Sequence, residues 1–216
     1  MFYSGSVLTR RFGVPLTEKK LLIATNNEGK AREYRSLLRG IPFRLVTMAD
    51  EGITTDVPET GKSFEENAVL KATALAAESG LLTLADDSGI EVDALDGGPG
   101  VLSHRYAGEN TTDADRYKFL LEKLKGVPDD KRTARFRCVI AIAAPDGTVR
   151  TVSGECRGVL TTSPRGYNGF GYDPIFYVPE LGRTMAEISP EEKNKISHRA
   201  RAAEKARKLL RDWNKT

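Results

Sequence analysis

In the early part of the chain, short continuous runs of apolar residues are separated by segments in which apolar residues follow the spacing of a helix. The run at 20–25 is typical of a buried strand, and further strands are expected at 43–47 and 81–85. Between the first two, apolar side chains three and four positions apart predict a helix over 29–39, with Gly40 as its expected C-cap. This part of the chain therefore mixes strands with helices.

Two later helices are predicted by capping boxes, in which the helix-start side chain and a carboxylate three residues on exchange hydrogen bonds with the backbone. Ser63 pairs with Glu66 in this way, and Thr112 pairs with Asp115. A glycine is expected to end each helix. We therefore predict two long helices, one beginning after Ser63 and the other after Thr112.

The period changes to two over 133–160. Apolar and other side chains alternate over 133–143, Asp146 and Gly147 turn the chain, and a second long strand returns over 148–160. One long antiparallel hairpin among mixed helices and strands predicts an α/β fold with a mixed sheet.

A strong helix start at Ser189 leads into a basic segment. On one continuous helix Lys193 and His198 would lie about 140° apart, so they could not face one ligand. Both can do so only if the helix breaks near Ser197, which is an acceptable N-cap. The alternative is that Lys193, His198 and Arg199 form a solvated basic face.

Composition narrows the class of protein. The 216 residues are 39% hydrophobic and 29% charged, an ordinary globular balance. The longest apolar run has seven residues, over 138–144, and no secretion signal is visible, so a cytoplasmic protein without a membrane span is expected. Cys138 and Cys156 are expected to be buried thiols. Residues 1–19 lack periodicity and are interpreted as a flexible extension or a poorly packed arm before a domain at 20–216.

The net charge of +3 is unevenly distributed. Residues 1–20 carry +3 and residues 190–216 carry +5, so the middle carries −5. An acidic centre with a basic last helix does not resemble a general DNA-binding protein, whose basic surface is broad. It suits a phosphorylated ligand held by a metal and a few lysines.

A polar loop joins the first strand to its helix and is a candidate phosphate site. Helix N-termini present free N–H groups and the positive end of the helix dipole, which attract phosphate. An Asn-rich turn with an exposed lysine is the alternative, and the spacing is not that of a Walker A loop. The residues of the loop are Thr25, Asn26, Asn27, Glu28, Gly29 and Lys30.

Carboxylates form a second candidate. Asp86 and Asp87 follow the third strand in an expected turn, where ligands bind in open α/β sheets, and two adjacent carboxylates are costly without a cation or hydrogen bonds. A plain polar turn is the alternative. Glu59 could equally be a surface residue, Lys71 is expected to be solvated, and His104 is interpreted as structural or surface.

The segment 169–174 has two glycines spaced among aromatic residues. Phe170 and Tyr172 could stack on a nucleobase, which contributes about 1–3 kcal/mol per base. A tight turn with aromatic packing is the alternative.

Taken in order, the motifs closely resemble those of the inosine/xanthosine triphosphate pyrophosphatases, over about residues 20–213. Members of that family usually carry a small residue at position 104, and they commonly begin near the first strand. The motifs are TNNEGK at 25–30, SFEENA at 63–68, LADDSG at 84–89, GPG at 98–100, SHRYAG at 103–108, GFGYDP at 169–174 and SHR at 197–199.

The resemblance implies an elongated mixed β-sheet with flanking helices, two lobes around a central cleft, and a homodimer. It implies Mg²⁺-dependent hydrolysis of noncanonical purine nucleoside triphosphates (ITP/dITP and XTP/dXTP) to monophosphate and pyrophosphate, with no nucleic-acid or membrane partner. Asp87 would be the proton acceptor and a metal ligand, and Glu59 the other ligand. The substrate would be bound by residues 25–30 and by Ser88, Phe170, Gly171, Tyr172, Asp173, Lys193, His198 and Arg199.

Two rival functions stay open. One is the same chemistry on modified pyrimidine triphosphates, as in the Maf-like proteins, which have a similar architecture. The other is a non-catalytic nucleotide- or nucleic-acid-binding protein that uses the basic last helix. The choice between Asp86 and Asp87 as the base is also open, because a metal-bound carboxylate is a weaker base than a free one.

Overall fold

The structure, a computed structural model, describes residues 19–213. The extension expected at 1–19 therefore lies, apart from Lys19, outside the described residues. The described chain forms one seven-stranded mixed sheet in the order β2-β1-β3-β4-β5-β6-β7, with helices on both faces. The strands are β1 (Lys20–Ile23), β2 (Arg44–Thr47), β3 (Leu82–Val92), β4 (Thr133–Ala143), β5 (Val149–Leu160), β6 (Phe176–Val178) and β7 (Arg183–Thr184). The helices are α1 (Glu28–Leu37), α2 (Phe64–Ser79), α3 (Asp113–Lys123), α4 (Pro190–Ile196) and α5 (His198–Asp212).

The sheet has a parallel end and an antiparallel end. Strand β1 pairs in parallel with β2 and with the start of β3, and every later pair is antiparallel. The predicted hairpin is present as β4 and β5, which pair along their whole length. The expected α/β fold with a mixed sheet is therefore confirmed.

The segment 86–89 differs from its prediction as a turn. It lies in the middle of β3, where Asp86 is opposite Ile140 and Asp87 is opposite Val139. Two carboxylates normally disfavour a buried strand, but both are partnered by cations or amides here. Because strand side chains alternate, Asp86 faces α1 and α5, whereas Asp87 faces α2.

Helix boundaries follow the predicted caps with small corrections. Helix α1 begins one residue earlier than expected, and its C-cap is Leu38 rather than Gly40. The Thr112 capping box is complete. The box at Ser63 is only half formed, because Glu66 accepts from the backbone N–H of Lys62 instead.

The predicted helix break is present. Ser197 has an extended backbone (φ −65°, ψ 157°), and it is both the C-cap of α4 and the N-cap of α5. Its N–H donates to the carbonyl of Lys193, and its Oγ accepts from the N–H of Ala200. The change of direction brings Lys193, His198 and Arg199 to one cavity, and all three are buried.

Three apolar clusters form the core. Strand β1 alternates between two of them, because Leu21 and Ile23 pack toward α1 and α5 whereas Leu22 and Ala24 pack toward α2. The third cluster lies at the antiparallel end, between the sheet and α3. Cys138 and Cys156 are free and buried, as expected, and no helix within 19–213 is long and apolar enough to span a membrane.

Helix α5 lies close to the backbone of β5 at Gly154. A Cβ at this position would be 2.3 Å from the carbonyl oxygen of His198 and 2.5 Å from the N of Ala202. Both are backbone atoms, so relief requires movement of the helix itself.

We expect Gly154→Ala to lower the free energy of unfolding by about 1–3 kcal/mol, the usual cost of overpacking. Urea denaturation followed by circular dichroism measures this change. Ser153→Ala, one position earlier on the same strand, is the matched control. Equal stability of Gly154→Ala and the wild type would contradict the close packing of α5.

Candidate active site

One cleft of about 660 Å³ collects nearly all of the predicted site residues. It receives side chains from the loop before α1, from β3, from a 3-10 segment (Gly100–Arg105), from the 170–173 loop and from α4 and α5. Of the predicted residues, Glu28, Gly29 and Asp86 do not line it. Those that do are Thr25, Asn26, Asn27, Lys30, Glu59, Asp87, Ser88, Phe170, Gly171, Tyr172, Asp173, Lys193, His198 and Arg199.

The loop before α1 has the geometry of an anion site. Asn27 is the N-cap, and its Oδ1 accepts from the N–H of Lys30 at 3.0 Å. The Oγ1 of Thr25 accepts from the N–H of Asn27 at 3.1 Å. These bonds fix the loop at the positive end of the α1 dipole, where phosphate is favoured.

Gly29 lies against the aromatic ring of Phe170. A Cβ there would lie 2.8 Å from the ring carbon Cδ1 of Phe170. The missing side chain therefore makes room for the aromatic ring, and it joins the phosphate loop to the opposite wall of the cleft.

Asp86 is a buried anion that holds two cations. Its Oδ2 lies 3.0 Å from Lys30 Nζ and 3.5 Å from Arg199 Nη2. Burial acts to raise the pKa of Asp86, but the charges of Lys30 and Arg199 outweigh it and hold that pKa well below its usual value. Asp86 is thus a permanent negative charge that fixes one residue from each side of the cleft.

Asp87 has the opposite electrostatic character. Its carboxylate accepts from Asn67 Nδ2 and from the N–H of Ser88, each at 2.9 Å. Burial raises the pKa of Asp87, the neighbouring Glu59 raises it further, and Lys71 only partly offsets them. Adjacent carboxylates with pKa values moved in opposite directions are typical of sites that divide structural and acid–base roles.

Lys71 and Glu59 form an ion pair beside Asp87. Lys71 Nζ lies 2.6 Å from Glu59 Oε1 and 4.0 Å from Asp87 Oδ1. Lys71 is therefore not the solvated side chain that was expected, and its side chain is only 14% exposed. Arg105 donates to the carbonyl of Glu59 at 3.2 Å, which fixes the backbone of this otherwise irregular segment. Glu59 is thereby held in the cleft rather than on an open surface.

Glu59 and Asp87 are the residues that fit a divalent cation. They share Lys71 as a neighbour, and Asp87 has the raised pKa of a carboxylate that lacks sufficient positive charge. Within residues 19–213, no cluster of three or more His, Cys, Asp or Glu side chains could hold a metal. A cation held by this pair would take its other ligands from phosphate and water, the usual arrangement for Mg²⁺.

The far end of the cleft is an aromatic and cationic pocket. Lys193 Nζ lies 4.7 Å and the Arg199 guanidinium 5.5 Å from the centre of the Phe170 ring. Glu33 joins the two cations, at 2.9 Å from Lys193 and 2.6 Å from Arg199, and Asp173 also contacts Lys193. The pocket is therefore lined by donors whose positions are set by buried carboxylates.

His198 and Tyr172 are more deeply packed than a surface basic face would allow. The His198 ring stacks on Phe136 at 4.7 Å, and its Nδ1 is buried without a hydrogen-bond partner. Burial and the charges of Arg199 and Lys193 lower the pKa of His198 well below its usual value, so the imidazole is neutral. Tyr172 is buried and donates to the carbonyl of Ser103, as the packing alternative predicted.

The sequence reading missed Glu33 and Asp113, two residues that organise the site. Glu33 lies three residues after Lys30 on α1, so a helical-face argument could have found it. Asp113 Oδ2 accepts from the N–H of Gly171, and its Oδ1 accepts from Arg116. No sequence motif indicates the contact between Asp113 and Gly171, because it depends on how α3 packs beside the 170–173 loop.

A sequence model described as the Ham1 family matches residues 21–209. The chain belongs to the Ham1 family. Two curated relatives are both called dITP/XTP pyrophosphatase. The protein of Bacillus licheniformis is 50% identical over 89% of this chain and 98% of its own length. That of Geobacter sulfurreducens is 53% identical over 85% of this chain and 92% of its own.

Solved Ham1 structures have the same fold. The HAM1 protein of Coxiella burnetii is 43% identical and superposes with a TM-score of 0.81, covering 89% of this chain and 98% of that one. The Staphylococcus aureus Ham1 protein is 42% identical, with a TM-score of 0.80 and the same two coverages. The Ham1 match spans every residue of the cleft described above.

The opposite pKa shifts of Asp86 and Asp87 predict opposite effects on stability. The pKa of Asp86 is lowered on folding, so its stabilisation is present above its ordinary pKa of about 3.8 and is lost as the pH falls below it. We expect Asp86→Asn to cost about 3–5 kcal/mol at neutral pH, as when one partner of a buried ion pair is removed.

The isosteric Asp87→Asn is the matched comparison. Because folding raises the pKa of Asp87, its ionised form costs stability at neutral pH, and the neutral amide should leave the protein as stable as the wild type or more so. Urea denaturation from pH 7 to pH 4, without divalent cations, checks both variants. A larger loss for Asp87→Asn than for Asp86→Asn would contradict the assignment.

Proposed function

We propose that this Ham1 protein hydrolyses inosine and xanthosine triphosphates, in ribo and deoxy form, to the monophosphate and pyrophosphate. In a cell this reaction removes noncanonical purines before they enter nucleic acid. The observation that carries the proposal is the joining, in one cleft, of a helix-capping phosphate loop to the carboxylates of Glu59 and Asp87, which share Lys71 as a neighbour. The curated names of the relatives support the substrate class.

Asp87 is the proton acceptor in this proposal. Asp86 pairs with Lys30 and Arg199 through its Oδ2, and its lowered pKa makes it a poor base. Asp87 Oδ1 lies 4.0 Å from Lys71 Nζ, outside hydrogen-bond distance, so its carboxylate stays able to accept a proton. Asn67 and the N–H of Ser88 orient its carboxylate, so a water beside it can lose a proton as it attacks the α-phosphorus.

Glu59 and Asp87 would hold Mg²⁺, which supplies neutralisation of the phosphate charge when it is bound. The chain adds its own cations to the same task. Lys30 and Lys71 lie on two sides of the paired carboxylates, and they stabilise the negative charge that grows on the oxygen between the α and β phosphates. Both ammonium groups are positioned before substrate binds, which avoids reorganisation during the reaction.

In this proposal, the far pocket selects the nucleobase of the substrate. Phe170 supplies a face on which any purine stacks. Lys193, Arg199 and backbone N–H groups supply donors, which pair with a 6-oxo group and oppose the 6-amino group of adenine. Burial of the two cations makes an unpaired donor costly, and sites built on such pairing reject the wrong partner strongly. Guanine also has a 6-oxo group, so its 2-amino group must be refused separately.

Several cations of the basic last helix are tied to neighbouring backbone. Arg201 and Lys205 donate to the carbonyls of Glu155 and Ser153 on β5. Arg207 donates to the carbonyls of Leu37 and Arg39 at the end of α1. These contacts favour a nucleotide over a nucleic acid as the ligand. The homodimer, the cytoplasmic location and the domain start near residue 20 stay predictions.

A substrate panel tests the proposed function. We expect kcat/KM for dITP and XTP to exceed that for dATP and dGTP by at least about 10²-fold, because donors in the far pocket pair with the oxo groups. The measurement is initial rate with pyrophosphate detection and Mg²⁺ present. Release of orthophosphate as the first product, or equal turnover of dATP and dITP, would contradict the proposal.

Asp87→Asn is expected to lose most turnover, by about 10²-fold or more in kcat, because general-base catalysis contributes that much. The variant should remain folded, as argued above. Asp146→Asn, on the hairpin turn away from the cleft, is the control. Near wild-type turnover by Asp87→Asn at saturating Mg²⁺ would remove the proposed base.

A further inference from the structure

The cleft wall formed by Gly100–Arg105 carries two side chains that the proposed mechanism does not use. His104 and Arg105 both line the cavity. The role of these two side chains must be found in their surroundings.

Arg116 fixes the orientation and the tautomer of His104. Its Nη1 donates to the carbonyl of His104 at 2.6 Å and lies 3.1 Å from His104 Nδ1. A guanidinium has donors but no acceptor, so Nδ1 must accept. The ring proton of the neutral imidazole is then on Nε2. Burial and the charge of Arg116 lower the pKa of His104, which favours this neutral form.

Arg105 is the most open cation of the cleft. Its side chain is 35% exposed, and its contacts are the carbonyl of Glu59 and, at 4.0 Å, the Glu59 carboxylate. The other described cations of the cleft are 2–15% exposed, and each has a carboxylate within 3.0 Å. They are Lys30, Lys71, Arg116, Lys193 and Arg199. Arg105 therefore keeps N–H donors available for an anion.

The two side chains lie at the phosphate end of the cleft. Arg105 contacts Glu59, which forms an ion pair with Lys71. His104 precedes Arg105 in the same 3-10 segment and lines the same cavity. A fixed imidazole donor and an open guanidinium thus lie on the wall of the cleft that adjoins Glu59 and Lys71.

We propose that His104 and Arg105 bind the pyrophosphate leaving group, His104 through its Nε2–H and Arg105 through its free guanidinium donors. The inference rests on the proposed function and adds to it a site for the two phosphates that depart. It makes His104 a substrate-contacting residue.

The chain offers a direct spectroscopic test, because it contains only two histidines. Protein labelled with nitrogen-15 in histidine is titrated with inorganic pyrophosphate in Mg²⁺ buffer, and His104→Ala identifies the His104 signals. We expect the free protein to show the Nε2–H tautomer for His104, and its Nε2 signal to shift to saturation with pyrophosphate. An Nδ1–H tautomer, or an unmoved signal while pyrophosphate binds, would overturn the proposal.

Product inhibition gives an independent measurement. We expect His104→Ala to weaken inhibition by pyrophosphate about three- to tenfold, the worth of one neutral hydrogen bond, and Arg105→Gln to weaken it at least about tenfold. Inhibition by inosine monophosphate should be unchanged in both. Arg157→Gln, on the exposed face of β5, is the control.

The variants also separate leaving-group binding from a structural role. If Arg105 only positioned Glu59, Arg105→Gln would raise the Mg²⁺ concentration needed for half-maximal rate and leave inhibition by pyrophosphate at saturating Mg²⁺ unchanged. If His104 only supported Arg116, inhibition by the monophosphate would weaken as well. Either result overturns the inference. Absence of pyrophosphate release by the wild type would instead refute the proposed function.

Discussion

The buried carboxylate of Asp86 is the constraint on which the candidate site depends. It sits on a central strand, and it holds Lys30 from the loop before α1 and Arg199 from the start of α5. These residues come from opposite ends of the chain, and no backbone pairing joins them directly. The ion pairs therefore define the distance between the phosphate end and the far end of the cleft. A strand can carry this anion only because both cations arrive together, which is why an isolated reading of its sequence favoured a turn.

The far pocket of the cleft also depends on buried ion pairs. Buried charges in the far pocket are arranged as alternating partners, with Glu33 between Lys193 and Arg199 and with Asp173 beyond Lys193. Each charge compensates its neighbour, so none bears the full cost of burial alone. The aromatic ring of Phe170 lies against the backbone of Gly29, so the far pocket is in direct contact with the phosphate loop.

Local patterns predicted the elements well where a single physical signal dominated. The hairpin of β4 and β5, the caps at Thr112 and Ser189, and the break at Ser197 all follow from period, capping chemistry or helix geometry. The sequence failed where contacts between distant segments decide. Lys71 was expected in solvent because its carboxylate partners cannot be inferred from its own helix, and Glu33 and Asp113 gain their importance only from neighbours brought close by folding. The order of the motifs indicated the family because the motifs together contain many of the residues that meet in the folded site.

Ser197 has a consequence for how the protein opens. A single residue ends α4 with its N–H and begins α5 with its hydroxyl, and no linker separates the two helices. Fraying at the end of α4 therefore also frees the first turn of α5, which carries His198 and Arg199. Amide hydrogens on both sides of the junction would then exchange as one cooperative unit, while those of the central strands stay protected. The far pocket, to which nucleobase binding is assigned, would open and close as a local event, independent of the sheet that supports it.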